Sequence, residues 1–162
     1  MIEIEIGKAR FTLPAQTAAG ESAYIVLGVR KSGSSLLNSM MERVAAALGL
    51  PFVDVAGTFF NAGMPVSEWQ DEPEVRRIVA PGVVYGGFRN APRCLHGMPL
   101  YRRSPKILLV RDPRDALVSE YFSNAYSHSV PESGEARRRI LAQRERARAI
   151  GVDEYVKSRI PA

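Results

Sequence analysis

Two stretches of this chain, Tyr24-Ile-Val-Leu-Gly-Val29 and Lys106-Ile-Leu-Leu-Val110, are continuous runs of apolar, β-forming residues, Lys106 aside. A strand with one wet face alternates apolar with polar residues. Runs without alternation therefore predict strands covered on both faces, the situation in a parallel sheet flanked by helices. Pro51-Phe-Val-Asp-Val55 and Gly82-Val-Val-Tyr85 are weaker members of the same type. Helical patterns lie between them. Leu37, Met40, Met41, Val44 and Leu48 recur at helical spacing, and Gly49 followed by Pro51 stops that helix. Glu74 to Val79 is short and helical at most. Asp112 can cap a further helix with Pro113 in its first turn, where a missing N–H costs nothing. Its stripe is Leu117, Val118, Tyr121, Phe122 and Ala125, with Val118 and Tyr121 expected in the core. Strand and helix alternate, which predicts an α/β three-layer sandwich with a mainly parallel central sheet and right-handed crossovers.

The ends of the chain read differently. Met1 to Leu13 holds two alternating runs, IEIEI and ARFTL, that turn at Gly7-Lys8: a short N-terminal β-hairpin at an edge, with one wet face. Pro14 to Ser22 is a small, polar loop, and Asp153 to Ile160 is an amphipathic segment. A length of 162 residues suits one domain over 1–162. With 46% apolar and 24% charged residues, collagen-like and wholly disordered chains are excluded. Cys94 is the single cysteine, so neither an internal disulfide nor a thiolate metal cluster is available. The N-terminus lacks the basic-then-apolar layout of a secretory signal, and the longest apolar run is far too short to span a bilayer. A cytoplasmic protein without a membrane span is expected. The net charge of +5 comes largely from Arg137, Arg138, Arg139, Arg144, Arg146 and Arg148. Such a run reads first as a solvated helix face and second as a nucleic-acid patch. No aromatic residues interleave with these arginines for base stacking, so nucleic acid is not the expected partner.

The chemistry concentrates at two places. The first buried strand ends in Gly28-Val29-Arg30-Lys31-Ser32-Gly33-Ser34-Ser35 and runs directly into the first strong helix. Backbone N–H groups at a helix start favour anions, glycine lets a ligand approach the backbone, and Lys31 adds a point charge. A plain strand-to-helix turn, with serines as caps, would not need Arg30 and Lys31 side by side. Gly28 and Gly33 have the spacing of a nucleoside-triphosphatase loop, but Ser34 stands where that loop has lysine. Phe52-Val53-Asp54 is the nearest approach to its magnesium-binding strand. The second place is Arg111-Asp112-Pro113-Arg114-Asp115-Ala116-Leu117-Val118-Ser119-Glu120-Tyr121. On a helix, Asp115 and Ser119 are i, i+4 neighbours away from the apolar stripe, and a guanidinium such as that of Arg111 suits a phosphate dianion. The lesser alternative for Arg111 is a surface ion pair with Asp112 or Asp115.

Lys31-Ser32-Gly33-Ser34-Ser35-Leu36 resembles the K-S-G-T-T-W loop of sulfotransferases that use 3′-phosphoadenosine 5′-phosphosulfate (PAPS). The segment from Arg111 to Tyr121 is similar to that family's R-x-P-x-D-x-x-V-S-x-Y motif at each named position. The likeness covers about Tyr24 to Tyr121 and implies a P-loop NTPase-like topology. It also implies that PAPS is the cofactor, 3′-phosphoadenosine 5′-phosphate (PAP) the product, and no metal is required. Arg30, Lys31, Ser32, Gly33, Ser34 and Ser35 would hold the 5′-phosphosulfate, and Arg111 and Ser119 the 3′-phosphate. Lys31 would act in catalysis, and the acceptor would be a small molecule, carbohydrate or lipid bearing a hydroxyl or amine.

The family's proline before the lysine is Arg30 here, and its two threonines are Ser34 and Ser35. Where cytosolic members carry a catalytic histidine, this chain has Val83 to Asn90, without histidine or carboxylate. His96, His128 and the carboxylates Glu120, Asp71 and Glu72 are the candidates left for a general base, His96 first. The family continues past this motif with adenine-binding residues and a basic glycine-rich loop, so the resemblance leaves two expectations, a C-terminally truncated member, which is favoured, or a reduced member whose cofactor site is incomplete. The alternatives are a nucleotide-dependent kinase with an atypical loop, and a non-catalytic nucleotide- or nucleic-acid-binding module. Gly63 to Glu72 and Phe88 to Arg103 are candidate lids over an acceptor.

Overall fold

The computed structural model describes residues 1–15, 21–128, 130 and 134–160, with 134–136 by backbone alone. Most of the loop expected over Pro14 to Ser22 lies outside the described residues. The chain divides into two compact units, Met1–Val110 and Arg111–Ala162.

The first unit is built on a four-stranded, all-parallel sheet. Its strands are β3 (Tyr24–Gly28), β4 (Phe52–Asp54), β5 (Val84–Phe88) and β6 (Lys106–Leu109), in the order β4-β5-β3-β6. A separate antiparallel hairpin, β1 (Ile2–Ile6) with β2 (Ala9–Leu13), turns through Gly7 at φ 57°. Its inward side chains, Ile6, Phe11 and Leu13, join the main core, as alternation requires.

The sheet is covered on both faces. On one face α1 (Ser34–Ala47) lays Leu37, Met41 and Ala45 over Val26 and Val84. Gly49, at φ 67°, ends that helix where the sequence places its stop. On the other face Ile25, Leu27 and Tyr85 meet α2 (Val55–Asn61), α3 (Val66–Trp69), the 3₁₀ turn Pro73–Ile78, α4 (Pro99–Arg103) and the hairpin. Phe11, Phe59, Trp69 and Phe88 form an aromatic ladder there, with ring centroids 5.0, 4.9 and 6.3 Å apart in turn. Tyr85 is fully buried, donates from its hydroxyl to the Ile78 carbonyl at 2.5 Å and accepts from the Ala80 N–H at 2.9 Å. Burial pushes its phenol up to about 12. Tyr85→Phe strands both backbone groups and is expected to cost about 1–3 kcal/mol in urea unfolding; a neutral substitution would mean the two are solvated.

Two expectations about burial are corrected. β6 is an edge strand, with Ile107 45% and Leu108 59% exposed, because α1 packs chiefly on β3, β4 and β5. An apolar run does not distinguish a central strand from an edge. The helix stripe divides for the same reason: Leu37 and Met41 are inside, while Met40, Val44 and Leu48 are exposed. Val44, Met41, Tyr24 and Ile107 border a groove of about 180 Å³ on this face.

In the second unit, α5 (Pro113–Phe122) continues as a π-helical turn, Ser123–Ser127, and is followed by α6 (Gly134–Lys157), which breaks at Gly151 (φ 72°, ψ 174°). Its core is Tyr121, Ala125, Ala147 and Tyr155. Val118, expected in the core, is 39% exposed, and Phe122 is exposed too, so the stripe of α5 narrows to the side that meets α6. The arginine run is not uniformly solvated. Arg144 donates to the His128 carbonyl at 2.6 Å, and Arg148 donates to the Ala125 carbonyl at 2.8 Å beneath the Tyr126 ring. Among the described residues no helix is long and apolar enough to cross a membrane.

Candidate functional site

The loop between β3 and α1 lies at the carboxyl end of the parallel sheet. From β3 the chain passes to β4 and β5 on one side and later to β6 on the other, so this loop sits at a switch point of the strand order, where open α/β sheets hold ligands. Its backbone folds tightly. The Ser32 N–H donates to the Val29 carbonyl at 3.0 Å, and the Ser32 hydroxyl reaches the same oxygen at 2.5 Å. Gly28 is pressed so close to the start of α1 that a Cβ there would lie 2.4 Å from the Ser34 Cβ. Ser34 is itself buried.

The loop brings Arg30 through Ser35 to one helix start, and the groups differ in their surroundings. Gly33, at φ 95°, is the residue before the first turn of α1, and no side chain caps that turn. No acidic residue occupies it either, so the partial positive charge of the helix start is not neutralised locally. Lys31 is half-buried and has φ 64°, the only non-glycine residue at positive φ among those described. A lysine in that region is strained by about 1–2 kcal/mol, a cost that glycine would not carry. Ser32 is half-buried, whereas Arg30, Gly33 and Ser35 are exposed.

The structure adds a residue that the sequence reading does not single out. Arg89, just past the end of β5, places its guanidinium 3.4 Å from the Ser35 hydroxyl. Asn38 on α1 accepts from the Gly87 N–H at 2.7 Å and ties the end of β5 to the same helix. Arg89 follows a weakly apolar strand and matches no motif; only the pairing of β5 beside β3 brings it there. Asp54, the nearest magnesium-site candidate, instead caps α2 by accepting from the Gly57 N–H at 2.9 Å. Among the described residues no group of three or more His, Cys, Asp or Glu is placed to hold a metal.

No family model, curated protein or solved structure matches this chain.

The second motif lies in the second unit. Asp112 caps α5, accepting from the Arg114 N–H at 2.9 Å and binding the Arg114 guanidinium at 2.7 Å. That pairing holds the Asp112 carboxyl below its ordinary value. Arg111 Nε lies 3.9 Å from Asp115, at the limit of an ion pair, and Ser119 is half-buried one turn further on.

The base candidates differ in their surroundings. His96 is exposed at the end of the Arg93–Leu95 turn, its ring 6.5 Å from that of Tyr101 and its carbonyl accepting from Arg76 at 3.2 Å. No described contact joins His96 to the 28–35 loop. Asp71 is clamped by both arms of Arg93, whose guanidinium holds its carboxyl below the usual carboxylate range. That is the wrong direction for a base working near neutral pH. Glu72 accepts from the Glu74 N–H at 3.3 Å, and Glu120 accepts from the Tyr155 hydroxyl at 2.9 Å. His128 is exposed, and its backbone carbonyl, not its ring, accepts from Arg144.

Proposed function

We propose that this chain is a PAPS-dependent sulfotransferase, with the 28–35 loop as the cradle for the 5′-phosphosulfate. The observation that carries the reading is Lys31 held at φ 64° before an uncapped helix start, at the switch point of a parallel sheet. Non-glycine residues held in strained backbone cluster at active sites and ligand clamps, which supports the reading. The strand order, with the loop after β3, is compatible with a P-loop NTPase-like topology. Asp54, engaged as a helix cap, offers little to a kinase mechanism through magnesium.

In this mechanism the sulfuryl group passes in line from PAPS to a hydroxyl or amine of the acceptor. The acceptor's oxygen or nitrogen forms a bond to sulfur as the bond from sulfur to the bridging oxygen breaks. Lys31 and the N–H groups of Ser32 to Ser35 stabilise charge growing on that bridging oxygen and on the phosphate that leaves as PAP. Arg89 is close enough to Ser35 to contribute a further charge. In the second unit, Arg111 and Ser119 offer a guanidinium and a hydroxyl of the kind that suits a phosphate.

Calorimetric titration with PAP and with ADP, each with and without magnesium, tests this. PAP is expected to bind more tightly than ADP and without need of magnesium. Equal affinities, or tight binding only of magnesium with a nucleoside triphosphate, would move the protein to the kinase class.

A further inference from the structure

The second unit contains a solvent-open cavity of about 580 Å³, lined mostly by exposed residues, that belongs to neither motif. One wall is α6 before its break. Arg139, Gln143, Arg146 and Ile150 recur at i, i+4, i+7 and i+11 and so share one helix face. Gly151, at φ 72°, turns the chain back, and the returning segment supplies Tyr155 and Arg159 as the other wall. The volume falls within the range of roughly 300–1,000 Å³ typical of small-molecule sites.

Its lining has a clear chemical sign. Three guanidiniums border it, and none of the lining residues is a carboxylate. Arg159 is partly committed, donating to the Tyr155 hydroxyl at 3.0 Å with Glu120 at 3.4 Å. Arg139 and Arg146 have no ion-pair or hydrogen-bond partner among the described residues. The arginines of α6 are thus sorted by face: Arg144 and Arg148 hold backbone carbonyls of residues 125–128, while Arg139 and Arg146 border the cavity. Ala142, Ala147 and Ile150 also line it and supply apolar surface beside the cations, Ala147 buried and Ile150 exposed. Cations beside apolar surface match an anionic head on an apolar body.

We propose that this cavity binds an organic phosphate or sulfate monoester with an aromatic or alkyl body, its anionic head on Arg139 and Arg146. The site is independent of the 28–35 loop and does not rest on the activity proposed for it.

Residue-resolved NMR titration of the full chain with 4-nitrophenyl phosphate and 4-nitrophenyl sulfate tests it, and the two arms distinguish the head groups. Shifts are expected at Ala142, Ala147 and Ile150 with at least one of the esters, and they persist in Lys31→Ala. Arg146→Glu is expected to weaken that binding about tenfold or more, and Arg146→Gln, a milder change that keeps the fold if the reversal does not, several-fold. Arg138→Glu makes the same change of net charge outside the cavity lining and is expected to leave affinity within about twofold. Shifts confined to residues 28–35, no shifts with either ester, or equal weakening by Arg138→Glu and Arg146→Glu would overturn the proposal. So would an oligonucleotide that binds α6 more tightly than either ester and is weakened equally by both reversals.

Discussion

Lys31→Ala is expected to weaken PAP binding by roughly ten- to a hundredfold and to remove sulfuryl transfer, while the protein remains folded. Charge-assisted hydrogen bonds to a phosphate contribute about 1.5–3 kcal/mol, which sets the affinity loss. Loss of turnover should be larger, because a preorganised charge acts most strongly on the charge that develops in the transition state, typically about 10²–10³ in rate. Lys31→Gly separates the roles of backbone and side chain. Glycine accepts φ 64° without strain, so stability should stay within about 1 kcal/mol of the native chain or rise. Binding should fall as far as in Lys31→Ala. If Lys31→Gly binds PAP as the native chain does, Lys31 serves only the turn.

Phe59→Ala is the substitution expected to cost the most stability, about 3–5 kcal/mol. Phe59 is fully buried between the hairpin and α3, edge-on to Phe11 and stacked on Trp69 at an interplanar angle of 8°. Its removal opens a cavity bounded by two large rings that are themselves fixed by neighbours, so little can collapse to fill it. Trp69 is the single tryptophan, which makes its fluorescence a direct reporter. The urea midpoint should fall steeply, and Trp69 emission should move toward that of a more hydrated ring. A loss below about 1 kcal/mol would contradict the placement of the hairpin on this core.

Much of this architecture is readable in local chemistry. Asp112 and Pro113 start α5 as their side chains dictate, Gly49 ends α1, and the alternation of IEIEI and ARFTL produces the hairpin. The same local signals fail where the outcome depends on what lies alongside. Ile107 and Leu108 carry the pattern of a central strand, yet β6 is the last strand of the sheet. Met40 and Val44 complete a helical stripe that β3 and β5 fill only in part. The candidate loop divides in the same way. Gly28 to Ser35 are adjacent in sequence, and their grouping follows from a strand running into a helix. Arg89 lies 54 residues from Ser35, and only the parallel pairing of β3 with β5 brings them together. Arg144 and Arg148 look like members of a charge run until the fold shows them holding carbonyls at His128 and within the π-helical turn.

The central claim is that the 28–35 loop recognises the phosphate-bearing end of the nucleotide through Lys31. The most direct measurement maps PAP on the full chain by residue-resolved NMR, in the native protein and in Lys31→Ala. PAP should shift the amides of Ser32 to Ser35 in the native chain, and Lys31→Ala should lose about tenfold or more in affinity. PAP binding that leaves residues 28–35 unshifted, or that survives Lys31→Ala in full, would contradict the account.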